Sequence, residues 1–212
     1  MKKIISFVLL VFSIMQVHAE NDLAIDTFLD GLNSYQAEFT QRLLNEDGEI
    51  LETVEGKMFL SYPGKFRWSY TDPYVQTIIT DSKTLWIHDD DLEQVTIRDI
   101  SEAIYGTPAA IIITKNRLDE FFELTDLGGL EGANWTMLKP KKEGAEYKDI
   151  RMGFRDKDMV MMILNDNLGQ TTRIDFKNGI RNDIIESVMF EFNIPEGVDV
   201  IDDRNIEPVP IQ

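Results

Sequence analysis

Two imidazoles, His18 and His88, are the only histidines in 212 residues, and cysteine is absent. Without cysteine there is no thiolate nucleophile, disulfide, Cys-ligated zinc or iron–sulfur cluster, and no lipobox cysteine to carry a lipid. A Ser-His-Asp arrangement would have to be built on His88, in the segment Trp86-Ile87-His88-Asp89-Asp90-Asp91. That segment reads as a strand running into an acidic, solvated turn, and a lone His supplies neither a ligand set nor a triad. The triple Asp has the charge to hold calcium but lacks the alternating ligand spacing and turn glycine of an EF-hand loop. Carboxylate pairs abound among 38 acids, yet none is marked by an apolar pocket sequence of the kind a glycosidase acid requires. Phosphate-cradling glycine loops of Rossmann or Walker type are missing. No cofactor or metal is implied.

The alternative to covalent chemistry is apolar binding. Trp68, Trp86, Phe59 and Phe66, with the run Met159-Val160-Met161-Met162-Ile163-Leu164, carry larger and softer side chains than a small barrel core needs. The same run also reads as a methionine-rich core or a strand buried on both faces. With 43% hydrophobic and 28% charged residues the chain can fill a sizeable core. Its 21 basic against 38 acidic residues give a charge of −17, a field that repels phosphate backbones, so nucleic acid is not an expected partner.

The elements that must position these residues begin after a targeting segment. Lys2 and Lys3, an apolar run from Ile4 to Met15 interrupted by Ser13, and Val17-His18-Ala19 form the three regions of a secretory signal peptide, residues 1–19. The run is shorter than the roughly 20 residues that span a bilayer. Cleavage after Ala19 leaves one domain over 20–212, of 193 residues; losing two lysines takes −17 to −19, and the compartment expected is a periplasm.

Leu23, Ile25, Phe28, Leu29 and Leu32 recur at helical spacing and predict an amphipathic helix over 23–32. Thereafter the period becomes two: Phe66, Trp68 and Tyr70, then Val95 and Ile97, then Ile174 and Phe176 alternate with polar neighbours, as in half-buried antiparallel strands. Turn signals punctuate them at Asp47-Gly48, Pro63-Gly64, Asp72-Pro73, Asp81-Ser82, Asp89-Asp90, Asn165 to Gly169 and Asn178-Gly179. Helical patterns return between Ile100 and Leu124, with Thr107-Pro108 opening one stretch and Arg117 to Leu124 forming another. The economical arrangement is a strongly curved sheet whose concave face is closed by this insert and the first helix.

An ordered series of short segments also carries a resemblance. Gly56-Lys57-Met58-Phe59-Leu60, Pro63, Phe66-Arg67-Trp68, Pro73, Asp81 to Trp86, Leu92 to Thr96 and Thr107-Pro108-Ala109 follow the order of the LolA family of periplasmic lipoprotein carriers. Phe39-Thr40-Gln41 and Phe190 to Val198 are similar to that family's flanking segments. The resemblance implies a mainly β fold with some helix: an incomplete, open antiparallel β-barrel whose helical lid encloses an apolar cavity for acyl chains. It implies no enzyme activity. The partners it implies are acylated lipoproteins, an inner-membrane lipoprotein-releasing ABC transporter and, where present, a LolB-like outer-membrane acceptor. On this pattern the cavity is lined by Met58, Leu60, Phe66, Trp68, Tyr70 and Trp86 from one run of strands and by Met161, Ile163, Ile174 and Phe176 from another. Leu29 and Leu32 belong to the first lid helix, and Ala109, Ile112 and Ile113 to the second. Where the family often has Arg directly before Pro, this chain has Tyr62, a hydroxyl rather than a charged fork at the expected lid contact.

Three readings follow: a monomeric carrier, a lipid-sensing or lipoprotein-receiving module on the same scaffold without shuttling, and a periplasmic hydrolase using His88.

Overall fold

The computed structural model describes residues 23–100 and 118–204. The expected signal peptide and the lid residues Ala109, Ile112 and Ile113 lie outside the described residues.

The first element, α1 (Ala24–Leu29), is shorter than the apolar spacing predicts, because Gly31 takes φ +61° and turns the chain out of the helix. Six strands follow: β1 (Ser34–Leu44), β2 (Ile50–Ser61), β3 (Lys65–Asp72), β4 (Gln76–Asp81), β5 (Thr84–Asp89) and β6 (Gln94–Asp99). A single helical turn, α2 (Leu118–Phe121), leads into β7 (Phe122–Leu130), β8 (Ala133–Pro140), β9 (Tyr147–Arg155), β10 (Asp158–Asp166) and β11 (Thr171–Arg181). A short 3₁₀ turn (Ser187–Phe190) and β12 (Asp199–Asp202) end the described chain. The helix expected to continue to Leu124 stops at Phe121. From Phe122 the backbone pairs with Pro140 and its neighbours, and ladder hydrogen bonds outweigh a weak helical pattern.

Among the described residues all strands join one sheet in the order β12-β6-β5-β4-β3-β2-β1-β11-β10-β9-β8-β7. The pairings are antiparallel except for β12, which runs parallel to β6. The N-terminal and C-terminal runs of hairpins meet where β1 pairs with β11. With β12 at one end and β7 at the other the sheet stays an open half-barrel.

Asn178-Gly179, expected as a turn, lies inside β11. There the register against β1 jumps between Gln36 and Glu38, and Asn178 sits at φ +56°. This is a β-bulge, and a Cβ at Gly179 would collide with the Tyr35 hydroxyl.

Candidate functional site

Cross-strand pairing sorts the side chains onto two faces. Met58 stands opposite Ala37 and Trp68, Leu60 opposite Tyr35 and Phe66, and Phe176 opposite Phe39. These residues, with Ile174, Ile150, Met152, Phe154, Met162 and Leu164, form one buried cluster on the concave face. Within it Phe39 stacks on Trp68 at 4.0 Å, and Trp68 meets Phe176 edge-on at 6.1 Å. Gly56 makes the stack possible. Its missing Cβ would strike the Phe39 ring, which leans over it, and the Ser69 carbonyl.

Seven of the ten strand positions read as cavity-lining fall on this face: Met58, Leu60, Phe66, Trp68, Tyr70, Ile174 and Phe176. The other three do not. Met161 and Ile163 pair with Asp175 and Arg173 on the outer face, while Met159, Met162 and Leu164 point inward. A bulge between Met159 and Met161 shifts the alternation within a run in which every residue is apolar, so composition could not set its phase. Trp86 is also outside, opposite Ile79 and Ile97. It belongs to a second, smaller cluster. Ile79, Val95, Ile97 and Phe190 are buried there, and the Phe192 ring lies 6.1 Å from Trp86 and 5.7 Å from His88. The 3₁₀ turn packs over β3 and β4, and Arg67 Nη1 donates to the Met189 carbonyl at 3.4 Å.

His88 therefore sits on a strand, mostly covered by the C-terminal segment, with Nδ1 3.2 Å from Asp90 Oδ1. It is not in a solvated turn. Among the described residues no group of three or more His, Cys, Asp or Glu is arranged to hold a metal ion.

Among the described residues α1 covers part of the concave face, packing on β8 and β9. Ile25, Phe28, Leu29 and Leu32 are buried, Phe28 between the rings of Tyr35 and Phe154 at 5.2 Å each. Thr136, pointing inward from β8, accepts the Ile25 N–H at 3.3 Å. The far end of α1 is held by polar groups from the end of β11. Arg181 donates to the carbonyls of Phe28 (2.7 Å), Asp30 (3.1 Å) and Lys157 (2.8 Å). The Asn182 carboxamide accepts the Asn33 N–H at 2.7 Å and donates to the Gly31 carbonyl at 3.0 Å, and Lys157 pairs with Asp30 at 3.1 Å. Tyr62 packs against the core, and burial pushes its phenol pKa up. The charged fork that grips α1 is Arg181, which no motif in the sequence signals.

The interior is filled by its own side chains, with Met58, Leu60, Phe66 and Ile174 at 0% exposure.

A curved open sheet with one continuous apolar face and a helix packed on it defines a class of fold, the open β-barrel with a helical cover. Within that class the chain belongs to the LolA family: residues 30–193 match the family described as outer membrane lipoprotein carrier protein LolA. A Methylococcus capsulatus outer-membrane lipoprotein carrier protein is 38% identical over 180 residues, covering 85% of this chain and 86% of the relative. One from Dechloromonas aromatica is 34% identical over 200 residues, covering 94% and 96%. Among solved structures the fold is similar to an uncharacterized conserved protein from Thermus thermophilus (TM-score 0.56, 13% identity, covering 84% of this chain and 96% of that one). It is also similar to a LolA superfamily protein from Nitrosomonas europaea (TM-score 0.50, 12% identity, covering 80% and 94%). No helix among the described residues is long and apolar enough to cross a membrane.

Proposed function

We propose that this chain is exported by residues 1–19 and that residues 20–212 act in the periplasm as a carrier. It would take the acyl chains of lipoproteins released from the inner membrane into the concave face and deliver them to the outer membrane. The donor would be a lipoprotein-releasing ABC transporter and the acceptor a LolB-like protein where one exists. The acyl site would be the inward set of Met58, Leu60, Phe66, Trp68, Tyr70, Ile174 and Phe176.

The observation that carries this reading is a continuous apolar concave face with α1 packed over part of it. At about 0.8 kcal/mol per buried methylene, an acyl chain of roughly 14 methylenes gains on the order of 11 kcal/mol by leaving water. The three side chains α1 buries, Ile25, Phe28 and Leu29, are worth about 1.5–3 kcal/mol each, or roughly 4.5–9 kcal/mol together. The helix's own burial thus offsets a large part of the gain from a single acyl chain and a smaller part for cargo with two or three chains.

The test is incubation of the purified protein with spheroplasts making a tagged triacylated lipoprotein. Appearance of that lipoprotein in the soluble fraction as a one-to-one complex is the expected result. Absence of release from spheroplasts that a known carrier can unload would move the assignment to a lipid-sensing module.

A further inference from the structure

Among the described residues one buried side-chain polar atom stands without a hydrogen-bond partner: Trp68 Nε1, on a side chain 1% exposed. An unpaired buried donor is costly, and a protein retains one where something else supplies the acceptor. The indole N–H leans toward the Tyr70 oxygen, but its geometry falls short of a hydrogen bond. Tyr70 spends its own proton on Gln41 Oε1 at 3.3 Å.

These groups sit at the end of the concave face remote from α1. Gln41 pairs with Val54 and Ile174, and Tyr70 with Gly56 and Gln76, whereas α1 lies by Tyr35, Phe154 and Thr136. The Tyr74 ring stands 5.7 Å from Tyr70, and Tyr147 packs against the same cluster. Burial, and secondarily the nearness of Tyr74, hold the Tyr70 phenol protonated; burial does the same for Tyr147, with Tyr70 contributing. The charges that act on this end are mostly carboxylates: Glu52 and Asp89 beside Tyr74, Glu146 and Asp166 beside Tyr147, with Arg98 acting on Glu146 from across the opening. An apolar interior thus ends in neutral hydrogen-bond donors within an acidic rim. Such a rim disfavours carboxylate and phosphate groups and admits an uncharged acceptor.

The geometry points to a second recognition site in which Trp68 Nε1 and the phenols of Tyr74 and Tyr147, beside the Tyr70 hydroxyl held on Gln41, bind the uncharged carbonyl oxygens of ester- or amide-linked acyl chains. It rests on the acyl-carrier reading and deepens it. The interior takes the hydrocarbon, and the collar fixes how deep the chain enters by meeting its linkage. It selects linked acyl chains over free fatty acids.

The experiment compares 1,2-dihexanoylglycerol with its 1,2-dihexyl ether, which has the same tails and no carbonyl, by titrating ¹⁵N-labelled protein. The Trp68 indole resonance should move downfield with the ester and not with the ether, and the ester should bind about tenfold tighter. Trp135, whose Nε1 already donates to Leu130 O at 3.1 Å, serves as an unmoved reference. In Trp68→Phe and Tyr147→Phe the ratio of ester to ether affinity should shrink toward unity, whatever each substitution does to both affinities together. If Trp68→Phe does not fold, the wild-type resonance alone decides. Equal affinities with an unmoved Trp68 signal overturn the collar and leave the apolar site standing. Binding of neither lipid overturns both.

Discussion

Arg181 clasps Phe28 from two sides, donating from Nη1 to its carbonyl at 2.7 Å while the guanidinium carbon stands 5.4 Å from its ring centroid. The same guanidinium reaches the Asp30 and Lys157 carbonyls, so one side chain ties the end of α1 to two strands. A planar guanidinium holds its donors in a fixed fork, whereas an ammonium is a point charge on a flexible stem.

Arg181→Ala should therefore loosen α1 by about 1–3 kcal/mol, the range for hydrogen bonds to a charged group. Arg181→Lys should restore little. Hydrogen exchange is the measurement. Amides of Asp30 and Leu32 should lose protection while those of Phe39 and Trp68 keep theirs.

Gly56→Ala should destabilise the whole fold by about 1–3 kcal/mol, because the new methyl meets both a ring and a backbone carbonyl. The midpoint of urea unfolding should fall with an unchanged slope. The Phe39–Trp68 contact should weaken, seen as altered near-UV circular dichroism.

Phe192→Ala should weaken the outer cluster over Trp86 and His88 and expose Trp86 to an aqueous quencher. Because that cluster lies on the opposite face from Trp68, binding of an apolar probe to the interior should stay within about twofold of wild type. A large loss of probe binding would mean that the two faces are coupled.

Stability should fall in alkali. Burial, aided by Asp158, pushes the Tyr35 phenol up to about 12; burial, aided by Tyr74, does the same for Tyr70. A phenol raised above its unfolded value near 10 favours the fold fully below pH 10, and that contribution is lost as pH rises from 10 through 12. Each is worth about 3 kcal/mol. Urea midpoints should be flat from pH 8 to 9.5 and drop steeply beyond, and Tyr70→Phe should make the drop shallower.

Much of the sheet is legible in the sequence because its strands face a core on one side only. Phe66, Trp68 and Tyr70 alternate with Arg67, Ser69 and Thr71, and that pattern has one solution. It fails where both faces are covered. In β5, Leu85 and Ile87 point inward and Trp86 outward, but all three are apolar, since the C-terminal segment buries the far side of β3 to β5. No local signal announces a cover supplied from a hundred residues later. In β10 the bulge at Met159–Met161 reverses the phase of an apolar run, and only its pairing with β9 reveals it. Arg181 looks like any exposed strand-end cation until α1 is folded onto it.

The C-terminal segment has a mechanical effect besides burial. It lays a second hydrophobic layer behind β3 to β5 and adds β12 to the edge of β6, so that flank of the half-barrel is a sandwich gripped from both sides. The flank from β8 to β11 carries its core on one face, and its outer face displays Arg151 and Arg173 to water. Bending stiffness is therefore uneven across the sheet. A force that separated α1 from β8 and β9 would therefore bend the single-layered flank and leave the double-layered one in place as the frame.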